Sequence, residues 1–278
     1  MSKAVDPHGS PSYVPTMLRS SLTPRILIVA GSDSSGGAGL QADLRTVQAL
    51  GGYGMTAVTA VTVQNTLGVS GVHGIPPATV AAQMRSCLDD IGADAVKIGM
   101  LGDAAVIAAV GEVLAGLRVP IVLDPVMVAK GGAVLLDDDA VGAMLGLLRL
   151  ASVVTPNTPE LAALASVEIE DEADVMLAAQ ELLGQGARAV LAKGAHLAGD
   201  EIADWLVTPL AQVRMTSTRI ETQHTHGTGC TLASALAVGL ARGLPMERAV
   251  REARDYVRAA ILAAPGFGGG HGPLGIPA

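Results

Sequence analysis

Short β-branched apolar runs alternate along this chain with amphipathic stripes of helical length, and such a sequence has few ways to bury its apolar faces. Residues 25–30 form the first run, which stops at a glycine loop, residues 31–39. Leu40, Leu44, Val47 and Leu50 then trace one helical face up to Gly51 and Gly52. Residues 55–63 read as a second strand ending at Gln64 and Asn65, and a loop is expected from there through Pro76 and Pro77. Val80, Met84, Cys87, Leu88 and Ile91 mark the next helix, with Cys87 as a core residue. Residues 95–100, 120–123, 152–155 and 189–192 continue the series of buried strands, with helices over 103–117 and 172–184. Alternation over 203–220, with Pro209 in a turn, predicts short antiparallel strands, and two helices follow. The pattern predicts an α/β fold: a mainly parallel central sheet with helices on both faces.

The 278 residues contain no obvious linker, so we expect one domain over residues 25–264 and a Gly/Pro-rich tail over 265–278. Residues 1–24 are polar, lack the apolar core of a secretory signal and read as a disordered arm, with Met17 an alternative start. Apolar runs break well before the roughly 18 residues of a membrane span, which argues against a membrane partner. A formal net charge of −8 and 2% aromatic residues argue against a nucleic-acid partner. Cys87 and Cys230 are too few for a disulfide framework, which fits a reducing cytoplasm.

Chemistry-bearing residues gather where strands end: Asp33, Gln64, Asp124, Asn157 and Lys193. In open α/β sheets that edge binds ligands. Gly227, Thr228 and Gly229 precede a helix whose stripe is Leu232, Leu236 and Leu240, so their amides can cradle an anion. The same helix start would favour the thiolate of Cys230 as base or nucleophile. A tight turn before a buried helix, with a core cysteine, gives the same local sequence. Asn157 and Glu160 have the spacing of a hydrated Mg²⁺ site, and equally of a helix cap. Lys193 can neutralise a phosphate, or merely be solvated.

Other phosphate-binding patterns fail. Gly37-Ala38-Gly39 approximates a dinucleotide fingerprint, but no acidic residue occurs from Leu44 to Leu88. Gly37 stands where a Walker A loop needs lysine, and no G-x-S-x-G elbow occurs. His224, His226 and Cys230 lack the second cysteine pair of a zinc site. An anion hole, a metal-holding acid and a lysine together suit phosphoryl transfer.

The ordered motifs GSDSSGGAGLQAD (31–43), VQNT (63–66), KIGML (97–101), DPVMVAK (124–130), TPNTPE (155–160), KGAH (193–196) and HGTGC (226–230) resemble the hydroxymethylpyrimidine/phosphomethylpyrimidine kinases of thiamine biosynthesis. The resemblance runs from about Arg25 to about Leu262 and implies a ribokinase-like fold. It implies two ATP-dependent phosphorylations of 4-amino-5-hydroxymethyl-2-methylpyrimidine, to the monophosphate and then the diphosphate. By position, Gln64 would bond the aminopyrimidine edge, with Gly31, Asp33 and Met100 shaping its pocket. Asn157 and Glu160 would organise Mg²⁺. Lys193, Asn157 and Asp124 fall on the ATP side, the 227–229 amides form the anion hole, and Cys230 takes the catalytic-base position. A homodimer is implied too, with K⁺ a further candidate cofactor. The paired glycines after Lys130 suggest a loop closing over ATP. Ser34 and Ala195 depart from some relatives, which carry proline and glycine there. The alternatives are a pyridoxal/pyridoxine kinase of the same superfamily and a catalytically silent nucleotide-binding protein.

Overall fold

Along the first strand, β1 (Arg25–Asp33), successive side chains enter two different cores: Leu27 and Val29 on one face, Ile26, Ile28 and Ala30 on the other. That two-sided burial is why the segment lacks polar alternation. The computed structural model describes residues 23–127, 138–195, 197 and 199–277. Most of the expected N-terminal arm and the loop at Lys130 lie outside the described residues, as does His196.

The elements follow the predicted order, with α4 and β3 in addition. After β1 come α1 (Gly39–Ala49), β2 (Tyr53–Asn65), β3 (Gly68–Gly74), α2 (Pro77–Asp90), β4 (Ala95–Ile98), α3 (Ala104–Leu114) and β5 (Ile121–Leu123). Then come α4 (Asp138–Leu148), β6 (Val153–Val154), α5 (Thr158–Ala165), α6 (Glu172–Gly184) and β7 (Val190–Ala192). The series ends with β8 (Glu201–Val207), β9 (Gln212–Thr218), α7 (Thr228–Ala241) and α8 (Met246–Leu262). All nine described strands form one sheet, ordered β3-β2-β1-β4-β5-β6-β7-β8-β9. The centre from β2 to β7 is parallel, while β3, β8 and β9 pair antiparallel at the edges.

Helices α2 to α6 pack on one face, and α1, α7 and α8 on the other. β3 corrects the loop expected between Asn65 and Pro76. Its sequence GVSGVHG is half-exposed on the sheet edge, so Gly stands where a buried strand would need branched side chains. Chain direction across the sheet reverses at β1, which sends β2 to one side and β4 to the other. Such a switch point opens a crevice at the strands' carboxyl ends.

The residues after α8 fold back rather than trail away. His271 N donates to Thr66 O, Gly275 N donates to Ala260 O, and Pro273 pairs with His226.

Leu27 is fully buried. Leu27→Ala is expected to cost about 2–5 kcal/mol in urea unfolding, whereas Leu210→Ala, at a position 98% exposed, stays within about 0.5 kcal/mol.

Candidate active site

Six strands deliver one residue each to the same edge, five of them polar. Asp33 ends β1, Gln64 lies one residue before the end of β2, and Met100 follows β4. Asp124, Asn157 and Lys193 follow β5, β6 and β7.

On the β1–β2 side the glycine loop is held from within. Gln41 Oε1 accepts from Asp33 N at 2.9 Å, and Gln41 Nε2 donates to Ser32 Oγ. Asp33 is buried, and its carboxylate accepts from Ser35 N, Ser35 Oγ and Ala38 N, each at 2.8 Å. His226 Nε2 lies 2.8 Å from Asp33 Oδ2 and 3.3 Å from Gln64 Nε2. Burial would raise the Asp33 pKa, but the donors from His226, Ser35 and Ala38 outweigh it and hold it at about 2. Asp33 thus organises the loop and orients His226, with its oxygens already engaged.

Gln64 is fixed at both ends: Thr62 Oγ1 donates to its Oε1, and Ser34 Oγ bonds its backbone N and O. Ser34 therefore has a defined job. Gly31 and Met100 meet directly, since a Cβ on Gly31 would collide with the Met100 methyl. A cleft of about 350 Å³ opens beside Gln64, bordered by Ser34, Val63, Leu67, Val69 and Ser70.

The other half is built on α7. Gly227 caps that helix at φ 88°, the left-handed region, and a Cβ there would run into the Gly37 carbonyl. Glycine is required twice over. Thr228 opens the first turn, and the amides of Gly229 and Cys230 lack intrahelical acceptors by helix geometry. A Cβ on Gly229 would lie 3.3 Å from Lys193 Nζ and 3.4 Å from Asp124 Oδ2. The cradle, the lysine and the acid are therefore one cluster.

Lys193 Nζ donates to Asp124 Oδ1 at 3.1 Å and lies 4.0 Å from Glu160 Oε2. Burial would lower the Lys193 pKa, but Asp124 and Glu160 together raise it, so it is charged. Thr155 Oγ1 also donates to Asp124 Oδ1 at 3.0 Å. Asn157 and Glu160 form a reciprocal capping box on α5, each side chain accepting the other's backbone N–H. The cap reading of this pair is correct, and it leaves the Glu160 carboxylate against Lys193. The Lys193 loop is itself held by Asp204, which accepts from Gly194 N at 2.9 Å and from Arg254 Nε at 2.7 Å.

Burial pushes the Glu160 carboxyl up to about 7; Lys193 opposes this and Asp124 reinforces it. Buried Lys97 and half-buried Lys193 face three buried carboxylates, Asp43, Asp124 and Glu160. The surplus acid is the donor chemistry a divalent cation suits. Among the described residues no three His, Cys, Asp or Glu side chains are close enough to form an all-protein cage, so such an ion would need waters and phosphate oxygens as further ligands.

Cys230 corrects the expectation of a ready thiolate. Burial, with Asp43 and Asp124 nearby, pushes its thiol up to about 12, against the opposing pull of Lys97 and a bond from Gly39 N–H. Desolvation outweighs the helix field. His226 and the Lys97–Asp43 pair were missed as functional candidates from sequence. KIGML nevertheless carried a signal, a lysine inside an otherwise apolar strand.

Gly227→Ala is expected to lower stability by ~1–3 kcal/mol in urea, because the left-handed φ and the Gly37 contact both resist a side chain. Glu160 has a folded pKa above its unfolded value, so the ligand-free protein loses stability as pH rises from about 4.5 to about 7. Glu160→Gln should match the wild type near pH 4.5 and exceed it above about pH 7, read from urea midpoints across that range.

Residues 33–275 match the model of the phosphomethylpyrimidine kinase family. Hydroxymethylpyrimidine/phosphomethylpyrimidine kinase of Streptomyces coelicolor is 50% identical over 252 residues, covering 90% of this chain and 93% of that one. An ADP complex of Bacillus subtilis pyridoxal kinase superposes with a TM-score of 0.85 at 34% identity, over 92% of this chain and 98% of that one. Phosphomethylpyrimidine kinase from Clostridium difficile 630 gives 0.76 at 37% identity, over 86% and 100%. The backbone overlay does not separate the two activities, because one fold hosts both. The sequence is 50% identical to the pyrimidine kinase against 34% to the pyridoxal kinase, and this chain belongs to the phosphomethylpyrimidine kinase family.

Proposed function

We propose that the chain phosphorylates 4-amino-5-hydroxymethyl-2-methylpyrimidine and then its monophosphate, each time from ATP, yielding the diphosphate used in making thiamine. The observation that carries this is the joining of Lys193, Asp124 and Gly229 at the start of α7, beside a buried carboxylate in surplus. Such a cluster suits a transferring phosphoryl group, whose charge needs fixed donors and cations.

In the first step the hydroxymethyl oxygen attacks the γ-phosphorus, the bond to the β-phosphate oxygen breaks, and ADP leaves. Cys230 stands at the base position: its neutral thiol must first release its own proton to solvent, and the thiolate then takes the hydroxyl proton, which restores the neutral thiol. In the second step a phosphate oxygen of the monophosphate attacks, and no proton need be removed. The amides of 227–229 and Lys193 bind the phosphates, while Gln64 reads the aminopyrimidine edge in the cleft beside it. Gly31 and Met100 close the pocket wall and Asp33 orients His226 against Gln64.

Glu160 and Asn157 would hold Mg²⁺, which would supply positive charge against the phosphates. Asp124, engaged by Lys193 and Thr155, anchors the lysine on the nucleotide side.

A neutral thiol also gives a reason for cysteine at this position: a permanently charged aspartate would repel the anionic acceptor of the second step. The exposed apolar residues Val61 and Val63, near the open edge strand β3, support a homodimer. No described helix is long and apolar enough to cross a membrane, and two free cysteines suit a reducing cytoplasm.

The test is ATP consumption with the pyrimidine alcohol, its monophosphate and pyridoxal, with product masses measured. Formation of the diphosphate, with kcat/KM for the pyrimidines at least ~100-fold above pyridoxal, is the expected result. Equal use of pyridoxal would favour the vitamin B6 reading, and no turnover would favour a silent binding protein. Cys230→Asp should retain the first phosphorylation at about a tenfold larger fraction than the second; equal loss would remove the charge argument.

A further inference from the structure

The buried cation under the site has no part in the steps above. Lys97, Asp43 and Ser234 are all completely buried, on the face of the sheet covered by α1 and α7. Lys97 Nζ donates to Asp43 Oδ2 at 2.9 Å, and Ser234 Oγ donates to Asp43 Oδ1 at 2.8 Å. One carboxylate thereby joins β4, α1 and α7. Burial pushes the Asp43 carboxyl up and would lower the Lys97 ammonium, but the Asp43 charge raises the lysine, and the 2.9 Å separation is that of a salt bridge. Gly99 leaves room for the ammonium, since a Cβ there would lie 2.8 Å from Lys97 Nζ. Apolar residues of similar volume commonly stabilise a fold as well as a buried ion pair does. Stability alone is therefore a weak reason for this triad.

Helical spacing supplies a stronger one. Asp43 lies four residues after Gly39, and Ser234 lies four after Cys230, so each sits one turn below on the same face of its helix. The Gly39 amide acts on the Cys230 thiol, α1 packs against α7, and one turn deeper Ser234 Oγ donates to Asp43 Oδ1. Two contacts a turn apart fix the start of α7 against the start of α1. Burial is the main influence on the Cys230 thiol, and the charge of Lys97 is the largest influence opposing it.

We propose that Lys97, Asp43 and Ser234 form a positioning unit for phosphoryl transfer, holding the Cys230 sulfur and the amides of 227–229 in register, with Lys97 as the fixed cation beneath them. None of the three touches substrate. They act through Cys230 and the α7 amides, so the proposal rests on the reading of those groups given above. A misaligned cradle slows the transition state more than it weakens ground-state binding, so the effect falls on kcat.

The experiment pairs two variants. Ser234→Ala removes one bond to the carboxylate and should lower kcat about tenfold for both phosphorylations, with KM for ATP and pyrimidine within about twofold. The double variant Lys97→Met/Asp43→Leu removes the ion pair without leaving an unpaired charge; it should unfold at a urea midpoint no lower than wild type yet lose about a hundredfold or more in kcat. If the double variant fails to fold, Ser234→Ala alone decides. Retention of kcat within about twofold by Ser234→Ala, or a loss expressed in KM instead, overturns the proposal while leaving the kinase reading intact. A wild type inert on all three acceptors would overturn the kinase reading. Hydrogen exchange then judges the register by itself: protection at residues 228–232 should fall in Ser234→Ala, and unchanged protection would count against it.

Discussion

Lys193 and Asp124, 3.1 Å apart and largely withdrawn from water, organise the catalytic edge because neither charge is tolerable there alone. Each is delivered by a different strand, so the pair exists only when β5 and β7 are correctly spaced by β6. Thr155 from β6 completes the arrangement by donating to the same carboxylate oxygen. Gly229 packs against both charges, which makes the start of α7 part of the same object. Glu160 is then left as a carboxylate without a full counterion, and burial, with Asp124 nearby, pushes its pKa up.

The acceptor half rests on a different interaction. Asp33 accepts four donors and uses one of them, His226, to reach across from the first glycine loop to the last. The Gly37–Gly227 contact forces the same two loops together through backbone alone. His226 is also clasped from behind by Gly272 and Pro273. Residues separated by most of the chain length thus share one small polar cluster, and the Gly/Pro-rich end of the chain helps to hold it.

Much of the fold was legible because its signals are local. Branched apolar runs, glycine stops and helical stripes located β1, β2, β4, β5, β6 and β7 and most helices to within a few residues. β3 was not legible, because an exposed edge strand needs no apolar pattern. The site was half legible. Strand ends identified Asp33, Gln64, Asp124, Asn157 and Lys193 as neighbours, and the structure brings them to one edge. Asn157 and Glu160 admitted two readings by spacing, and the capping box with a carboxylate at the lysine shows why both had force. His226 was considered only as a zinc ligand, since nothing near it in sequence announces Asp33.

The sequence by itself determined the layered α/β architecture, the glycine positions that backbone geometry demands and the membership in a kinase family. These depend on side-chain periodicity and on motifs whose members are adjacent in the chain. Only the tertiary structure decided the charge state of Cys230 and the place of Lys97. A helix start read locally favours a thiolate, but burial beside Asp43 and Asp124 reverses that preference. Desolvation and pairing depend on what surrounds a group from every side, and those surroundings come from β4, α1 and α7 together.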